Sequence, residues 1–253
     1  MKKYFEYTFN DSIRADLLEY YEKYDGKAKK MHCKNHTLKI KQKIERMQKH
    51  LKFEPRETIC DIGCSQGALL LELAGLYKYG VGLDISESLI KMNNEKCSFD
   101  MKNTINFEVF DGANVGYNDK FDKVILLDVL EHAFDPDALI KSIWVSLKSN
   151  GILIIQVPTT GWLSELFFGK YHAGHLRYYD DNYLVNYLEQ FGFKIDAINV
   201  YNSVPYSSQF LKYQKLFRLM DNFCNAIPPK FFPYYGSVMA IACKQPIPSK
   251  KIK

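Results

Sequence analysis

Two histidines with acidic and aromatic neighbours are the residues of this sequence best suited to proton transfer. His132 ends the stretch DVLEH at residues 128–132, and His175 lies in the stretch GHLRYY at residues 174–179. The unperturbed pKa of histidine lies near neutrality, so either side chain can accept the proton of a hydroxyl group. Structural roles are the alternative, in capping or packing for His132 and in a hydrogen bond to the backbone for His175.

A second group of candidate residues consists of carboxylates that follow short apolar runs. Asp61 lies in TICDI, Asp84 follows YGVGL, and Asp111 follows INFEVF. If these runs are neighbouring parallel strands, their carboxyl ends share the edge of the sheet where open α/β sheets bind ligands. Carboxylates there can accept hydrogen bonds from ribose hydroxyls and from an adenine amino group. The pattern predicts a pocket for adenosine attached to a cationic group.

The stretch CDIGCSQGALL at residues 60–70 leaves three kinds of nucleotide turn to compare. A phosphate loop needs lysine and a hydroxyl residue after its last glycine, but Ala68 follows Gly67, so this interpretation fails. A dinucleotide turn needs three glycines, and Ser65 stands in the middle place, so the fit is partial. A tight turn from Asp61 to Gly67, with amides that face an amino-acid group, fits better.

The elements that must position these residues alternate between apolar strands and amphipathic helices. The predicted strands cover residues 58–62, 79–85, 105–110, 121–128, 151–157, 193–201 and 237–244, and the predicted helices cover about 68–76, 88–97, 136–147 and 181–191. Such alternation predicts a Rossmann-like, doubly wound α/β fold. The last two strands enclose an insertion, which indicates a seven-stranded, mostly parallel sheet with an antiparallel closing strand. Residues 13–51 have a helical pattern and predict an N-terminal cap.

Four segments resemble, in order, the motifs of class I S-adenosylmethionine-dependent methyltransferases. They are DIGCSQG, VGLDIS, FDGANV and FDKVILLDVLEHAFDP, and the resemblance covers roughly residues 55–200 and the closing strand at 237–244. The VLEH and HLRYY segments are most similar to the ubiquinone-biosynthesis-type small-molecule O-methyltransferases. The family's fold agrees with the predicted sheet.

The resemblance implies a role for each matching residue. It implies that the methyl donor S-adenosylmethionine contacts the set Asp61, Gly63, Cys64 and Gly67 with its methionine end, Asp84 and Ile85 with its ribose, and Asp111 and Gly112 with its adenine, with Asp128 and Val129 also lining the site. It implies that His132 and His175 are catalytic and lie near the transferred methyl group. We expect Arg177 and Tyr178 to bind the substrate. The structural alternative is that the glycines serve turns and the aspartates cap helices.

A divalent metal is an alternative way to activate the acceptor. Asp128, Glu131 and His132 are spaced i, i+3, i+4, so one helical turn would bring them to one face. Some relatives use a similar group to hold a metal that polarises the acceptor hydroxyl. Asp128 stands where those relatives carry glutamate, and His175 is the candidate for a further ligand. We expect no metal in the main interpretation.

Composition restricts the class of protein. The 253 residues carry six scattered cysteines, which favours reduced thiols, and a net charge of +5, which is typical of a solvated basic face. No run of eighteen apolar residues and no signal peptide are visible, so we expect a cytoplasmic protein. A small-molecule substrate is the expected partner, with apolar and glycan-related compounds as open classes. We expect no nucleic acid and no transmembrane segment, with weak membrane-surface contact as an open alternative.

The sequence thus predicts a methyltransferase that acts on a small molecule, most readily on a hydroxyl oxygen. We expect an N-terminal helical cap at residues 1–52, a methyltransferase domain at 53–246 and a flexible basic tail at 247–253. Lid insertions are expected at about 160–180 and 205–235, the second of them an aromatic segment with helical spacing. The alternatives are a non-catalytic protein that binds S-adenosylmethionine or a partner, and a nicotinamide-dependent oxidoreductase.

Overall fold

A seven-stranded sheet forms the centre of the protein. The computed structural model describes residues 5–6, 34–97, 104–159, 175–202 and 236–245. The strands of the large sheet are β2 (Thr58–Ile62), β3 (Tyr79–Asp84), β4 (Ile105–Val109), β5 (Phe121–Leu127), β6 (Leu147–Thr159), β8 (Phe193–Asn202) and β9 (Gly236–Lys244). Two short strands, β1 (Phe5–Glu6) and β7 (Arg177–Tyr178), form a separate antiparallel pair.

The order of the large sheet is β4-β3-β2-β5-β6-β9-β8. Strand β9 runs antiparallel to both β6 and β8, and the other neighbouring pairs are parallel. This order confirms the predicted Rossmann-like sheet with one antiparallel closing strand. Because β2, β3, β4 and β5 are parallel neighbours, the residues that follow them meet at one edge of the sheet. That edge is where the candidate site residues lie.

Helices cover both faces of the sheet. They are α1 (Lys34–Gln48), α2 (Ala68–Glu72), α3 (Glu87–Lys96), α4 (Pro136–Ser146) and α5 (Asp181–Gln190), with a 3₁₀ turn at Leu130–His132. Side-chain caps fix where three of them begin: Ser86, Asp135 and Asp180 accept hydrogen bonds from the amides of Leu89, Ala138 and Tyr183. Such caps stabilise a helix start because they satisfy amides that have no partner within the helix.

The core has two layers, one on each face of the sheet. Leu139 and Ile140 of α4 and Leu184 of α5 pack against alternate side chains of β6, such as Ile155. On the opposite face, side chains of α1, α2 and α3 pack with Ile154 and neighbouring strands. The sheet thus lies between two layers of helices, and α1 reaches the carboxyl end of β5 through Lys43.

Two element boundaries differ from the predictions. Helix α2 ends at Glu72 rather than near residue 76, since the chain turns at Gly75, whose φ of +86° is in the left-handed region. Strand β6 begins at Leu147 rather than at 151, because Leu147 pairs with Phe121 across a register shift.

Parts of the predicted cap, lid and tail fall outside the described residues. These are residues 1–4, 7–33, 160–174, 205–235 and 247–253, and the aromatic segment is among them. The predicted domain boundaries therefore stay predictions. Among the described helices, none has both the length and the apolar character needed to cross a membrane.

Candidate active site

The turn after β2 depends on two glycines. Gly63 and Gly67 have φ values of +74° and +72°, a region that side chains disfavour. A Cβ atom on Gly63 would lie 2.4 Å from Cγ2 of Val129, and one on Gly67 would lie 2.6 Å from Cζ of Phe107. Both positions therefore need glycine for conformation and for space.

The amides of this turn form bonds within the protein. Gly63 and Cys64 donate to the carbonyl oxygen of Leu83 at 2.7 and 3.0 Å, and Gly67 donates to Cys64 at 2.8 Å. Ser65 donates to Oδ2 of Asp84 at 2.8 Å. The expectation that the turn's amides face a ligand is therefore wrong for these four. The contribution of the glycines to a site is the space that they leave beside the sheet edge.

Asp84 lies at the end of β3 and connects two loops. Its Oδ2 accepts the Ser65 bond, and its Oδ1 accepts a bond from the amide of Ser86 at 3.0 Å. Each carboxylate oxygen can accept a second hydrogen bond, so a ligand hydroxyl can still be bound. The carboxylate is thus fixed in position before any ligand arrives.

An apolar slot, formed by the exposed face of Ile85 beside Gly112, lies next to a fixed carboxylate after β3 and β4. Ile85 is 47% exposed, and a Cβ on Gly112 would lie 3.8 Å from its Cγ2. Oδ1 of Asp111 accepts bonds from the amides of Ala113 and Asn114 at 2.8 and 2.6 Å. These bonds hold the pKa of Asp111 below its usual value. The slot combines an apolar wall with a charged acceptor.

A separate cavity of about 360 Å³ adjoins this slot at Asp111. It is lined by Leu83, Glu108, Val109, Phe110, Asp111 and residues 114–117. It does not include Ile85, Gly112 or Val129. The cavity is therefore a neighbour of the predicted donor site rather than the site itself.

A lysine of α1 pairs with the aspartate after β5 and also acts electrostatically on the aspartate near the end of β2. Nζ of Lys43 lies 2.7 Å from Oδ2 of Asp128, whose side chain is 40% exposed. Burial opposes ionisation of Asp128, but Lys43 and Gln156 outweigh it, so the pKa of Asp128 is lowered. Asp61 is only 4% exposed. Burial raises its pKa to about 8, Lys43 partly opposes this, and Asp84 adds to it.

Asp128 adopts an unusual backbone conformation for its position. Its φ is +58°, in the region that glycine and asparagine favour. Its amide donates to the carbonyl oxygen of Gln156 at 2.8 Å, and its Oδ1 accepts from Nε2 of Gln156 at 2.9 Å. Together with Lys43, these bonds hold the Asp128 carboxylate at the sheet edge.

The two histidines meet beside a buried glutamate. The rings of His132 and His175 are edge to face, with centroids 4.8 Å apart. Nε2 of His132 lies 3.7 Å from Oε1 of Glu131, which is fully buried. Burial and the nearby Asp128 raise the pKa of Glu131 well above its usual value. The amide of Leu176 donates to the carbonyl oxygen of Glu131, which ties the two histidine segments together.

This cluster contains three of the four residues predicted as metal ligands. One ligand atom each from Glu131, His132 and His175 lie within 4.8 Å of one another. Neither carboxylate oxygen of Glu131 has a hydrogen-bond partner among the described residues. The donor set fits a divalent ion, whereas Asp128 is engaged by Lys43 and Gln156.

The two residues predicted to bind the substrate are buried. The guanidinium of Arg177 donates to the carbonyl oxygens of Ala133 and Phe134 at 2.5 and 3.5 Å. The ring of Tyr178 lies 5.5 Å from that of His175, centroid to centroid. In this structure both residues support the histidine segment, and their predicted role in substrate binding stays a prediction.

Comparison with known proteins decides the family. A protein family with the description "Methyltransferase domain" matches residues 33–198, which is more than half of the chain. The chain belongs to this family. Family and fold together make it a class I S-adenosylmethionine-dependent methyltransferase and imply S-adenosylmethionine as its cofactor.

Individual relatives match this methyltransferase over part of their length. A ubiquinone biosynthesis O-methyltransferase of Bradyrhizobium diazoefficiens is 27% identical over 125 residues, covering 48% of each chain. A tRNA U34 carboxymethyltransferase of Sulfurimonas denitrificans is 31% identical over 116 residues, covering 45% of this chain and 38% of its own. The chain thus spans half or less of these two relatives.

A solved S-adenosylmethionine dependent methyltransferase from Mesorhizobium loti has the same fold. Its TM-score is 0.56 at 16% identity, covering 79% of this chain and 96% of its own. At this identity the likeness concerns the fold alone.

The structure adds two residues of this methyltransferase that the sequence motifs did not identify. Lys43 contacts the site from α1, and Gln156 contacts it from β6. The only sequence signal for Gln156 is an amide inside the apolar run GILIIQV. Lys43 is one of many lysines on a basic helix, so nothing local distinguishes it.

Proposed function

We propose that this methyltransferase transfers a methyl group from S-adenosylmethionine to a hydroxyl oxygen of a small molecule. The observation that carries the proposal is a single edge of the sheet where fixed carboxylates, an apolar slot and two adjacent imidazoles meet. The carboxylates and slot suit a nucleoside with a charged tail, and the imidazoles suit removal of a hydroxyl proton. The name of the Bradyrhizobium relative, an O-methyltransferase, supports oxygen as the acceptor atom.

Different residues of the donor site would bind the ribose, the adenine and the charged tail of the donor. Asp84, fixed by Ser65 and Ser86, would accept hydrogen bonds from the ribose hydroxyls. The adenine would lie against the exposed face of Ile85, which Gly112 leaves free of a side chain, with Asp111 as acceptor for its amino group. S-adenosylmethionine, when bound, supplies a methyl group on a positively charged sulfur.

The charged tail of the donor fits the groups around Lys43. Asp128 offers negative charge for an ammonium, and Lys43 offers positive charge for a carboxylate. The space left by Gly63 beside Val129 lets the tail approach the backbone. The site therefore matches both charges of an amino-acid group.

His132 and His175 would supply the base. An acceptor hydroxyl must lose its proton as the oxygen is methylated, and a histidine can take that proton near neutral pH. Glu131, 3.7 Å from His132, would orient the imidazole. The alignment of oxygen and methyl group would contribute the larger part of the rate enhancement.

A metal-assisted form of the same reaction is a second candidate. Its specific support is the buried Glu131 carboxylate, which has no hydrogen-bond partner among the described residues and lies beside two imidazoles. A divalent ion held by Glu131, His132 and His175 would lower the pKa of an acceptor hydroxyl. Chelation of the ion, followed by its re-addition, distinguishes the metal-assisted reaction from the reaction with histidine as the base.

The class of acceptor stays a prediction. A tRNA-modifying relative and the net charge of +5 make RNA the macromolecule to include in any test. A small molecule is favoured because the His132 side chain is only 21% exposed and lies beside the buried Glu131, not on an open basic face. The expected cytoplasmic location also stays a prediction.

Two measurements test the proposal. Calorimetric titration with S-adenosylhomocysteine and with NAD should give binding of the first only, and binding of NAD alone would overturn the proposal. Transfer of a radiolabelled methyl group should then be assayed with a metabolite extract and, separately, with total tRNA. A labelled small molecule with a methyl ether is the expected product. Donor binding without transfer to any acceptor would favour the non-catalytic alternative.

A further inference from the structure

Gln156 is a polar side chain in an apolar part of the core. It is 3% exposed, and its neighbours Ile154, Ile155 and Val157 on β6 are fully buried. Met239, its partner across the sheet on β9, is also buried. A buried amide is costly unless both its donor and its acceptor find partners, so this residue requires an explanation.

One end of the Gln156 amide has a partner, and this fixes the orientation of the other end. Nε2 donates to Oδ1 of Asp128 at 2.9 Å. An ionised carboxylate accepts hydrogen bonds only, so a flipped amide would set two acceptors against each other. Oε1 is buried, and none of the described residues gives it a hydrogen bond.

The surroundings of Oε1 favour a cationic donor. Oε1 belongs to the same amide group that bonds Asp128, so it lies within a few ångströms of that carboxylate. Nζ of Lys43, 2.7 Å from Oδ2 of Asp128, keeps the carboxylate charged. Because the Asp128 side chain is 40% exposed, a ligand can reach this carboxylate, beside which the buried Oε1 of Gln156 lies.

We propose that Oε1 of Gln156 accepts a hydrogen bond from the α-ammonium of the methyl donor's methionine, with Asp128 supplying the neighbouring negative charge. The inference rests on the proposed function, since it needs S-adenosylmethionine in this crevice. Bound donor would then supply the hydrogen bond to Oε1 that none of the described residues provides. Lys43, on the opposite oxygen of Asp128, is left to pair with the donor's carboxylate.

The same acceptor chemistry would suit a hydroxyl of the methyl acceptor. The two sources differ in charge and in the complex that they need. An ammonium is attracted by Asp128 and binds with the donor alone, whereas the hydroxyl arrives only with the second substrate. Binding measurements without any methyl acceptor therefore distinguish them.

The test is a cycle of two deletions, one in the protein and one in the ligand. Calorimetry would give the affinity of the wild type and of Gln156→Met for S-adenosylhomocysteine and for its analogue without the α-amino group. In the wild type, loss of the amino group should weaken binding. In the variant the same loss should matter about 10-fold less, as expected for a hydrogen bond to a charged group.

The ratio of the two affinities separates a direct contact from an effect on folding. A disturbed Asp128 loop would weaken both ligands alike and leave the ratio as in the wild type, and that result would overturn the inference. An unchanged ratio is also what the hydroxyl alternative predicts. Gln156→Leu gives the same readout if the methionine variant does not fold. If the wild type does not bind S-adenosylhomocysteine at all, the proposed function fails, and this inference fails with it.

Discussion

Asp84 connects the end of β3 to the turn after β2, because its two carboxylate oxygens accept hydrogen bonds from the amides of Ser65 and Ser86. The neighbouring amides of Gly63 and Cys64 bond to Leu83 of the same strand. The glycine turn is therefore shaped by β3 as much as by its own sequence. A residue proposed to bind ribose is also the one that holds the loop beside it.

Substitution Asp84→Asn should weaken donor binding and loosen the turn together. An asparagine side chain has one acceptor oxygen, and its NH₂ group would face the amide of Ser65 or Ser86. We expect the affinity for S-adenosylhomocysteine to fall by about 10- to 100-fold, the range for hydrogen bonds to a charged group. Calorimetry measures this loss.

Asp122→Asn is the matched control for that variant. Asp122 also accepts a bond from a backbone amide, that of Thr58 at 2.8 Å. It lies at the other end of the strands, however, in the first residues of β5. Its substitution should leave donor affinity unchanged. Equal losses in both variants would mean that the effect of Asp84 comes through general stability.

Substitution Gly63→Ala should be more harmful than Gly75→Ala. Both glycines have positive φ, so backbone strain is common to both, but only Gly63 has a close neighbour, Cγ2 of Val129. Overpacking of this kind costs about 1–3 kcal/mol in addition to the strain. Urea unfolding of the two variants measures the difference.

Relief of the contact checks the cause of the Gly63→Ala effect. In the double variant Gly63→Ala, Val129→Ala the neighbouring branched side chain is gone, so part of the lost stability should return. No recovery relative to the single variants would show that strain alone explains the loss. Because a Cβ at residue 75 has nothing within 4 Å, Gly75→Ala gives the strain by itself.

The sequence predicted the strand ends well because their signal is local. Each short apolar run followed by aspartate became a strand that ends where expected, and the strand order brought Asp61, Asp84 and Asp111 to one edge. The burial of individual side chains and their hydrogen-bond partners could not be predicted in this way. Arg177 was expected at the mouth of the site, but its guanidinium bonds to backbone carbonyls.

Contacts between distant segments account for the two residues that the sequence did not reveal. Lys43 reaches Asp128 across 85 positions of the chain, and Gln156 reaches it from the next strand. Only the packing of α1 over the sheet brings Lys43 next to Asp128. A motif that is read along one strand carries no information on such partners.

Asp61 should make the stability of the unliganded protein decrease with rising pH. Its pKa is raised from 3.8 to about 8 in the folded state. Between these values the folded chain binds a proton that the unfolded chain does not, so stability is lost as the pH rises through this window. Asp61→Asn removes this dependence because asparagine does not titrate.

Urea unfolding at pH 5 and pH 9 measures the effect. The stability of Asp61→Asn relative to the wild type should increase between these values by a few kcal/mol, at about 1.4 kcal/mol for each unit of pKa shift. Asp122→Asn is again the control, since the pKa of Asp122 is lowered and its contribution is constant above pH 5. A parallel pH dependence of wild type and Asp61→Asn would contradict the assignment.

Substitution His175→Gln should reduce methyl transfer without reducing donor affinity. Glutamine can form a hydrogen bond but cannot take up the acceptor's proton at neutral pH, and loss of a general base costs about 10²- to 10⁴-fold in rate. The same is expected for His132→Gln, whose ring lies against that of His175. The measurements are the rate of labelled methyl transfer and the affinity for S-adenosylhomocysteine. His50→Gln is the control, because His50 contacts Asn199 at 2.9 Å, away from this cluster.

Chelation decides whether these histidines act as a base or as metal ligands. If they act as a base, exhaustive chelation leaves the rate unchanged, and the rate falls at acidic pH as the imidazoles become protonated. If they hold a metal with Glu131, chelation abolishes transfer and added Mg²⁺, Mn²⁺ or Zn²⁺ restores it. Binding of Mn²⁺, measured by calorimetry, should then be lost in His132→Gln and His175→Gln and kept in His50→Gln. Full activity of both histidine variants after chelation would contradict both roles, since neither a base nor a ligand could then be missing.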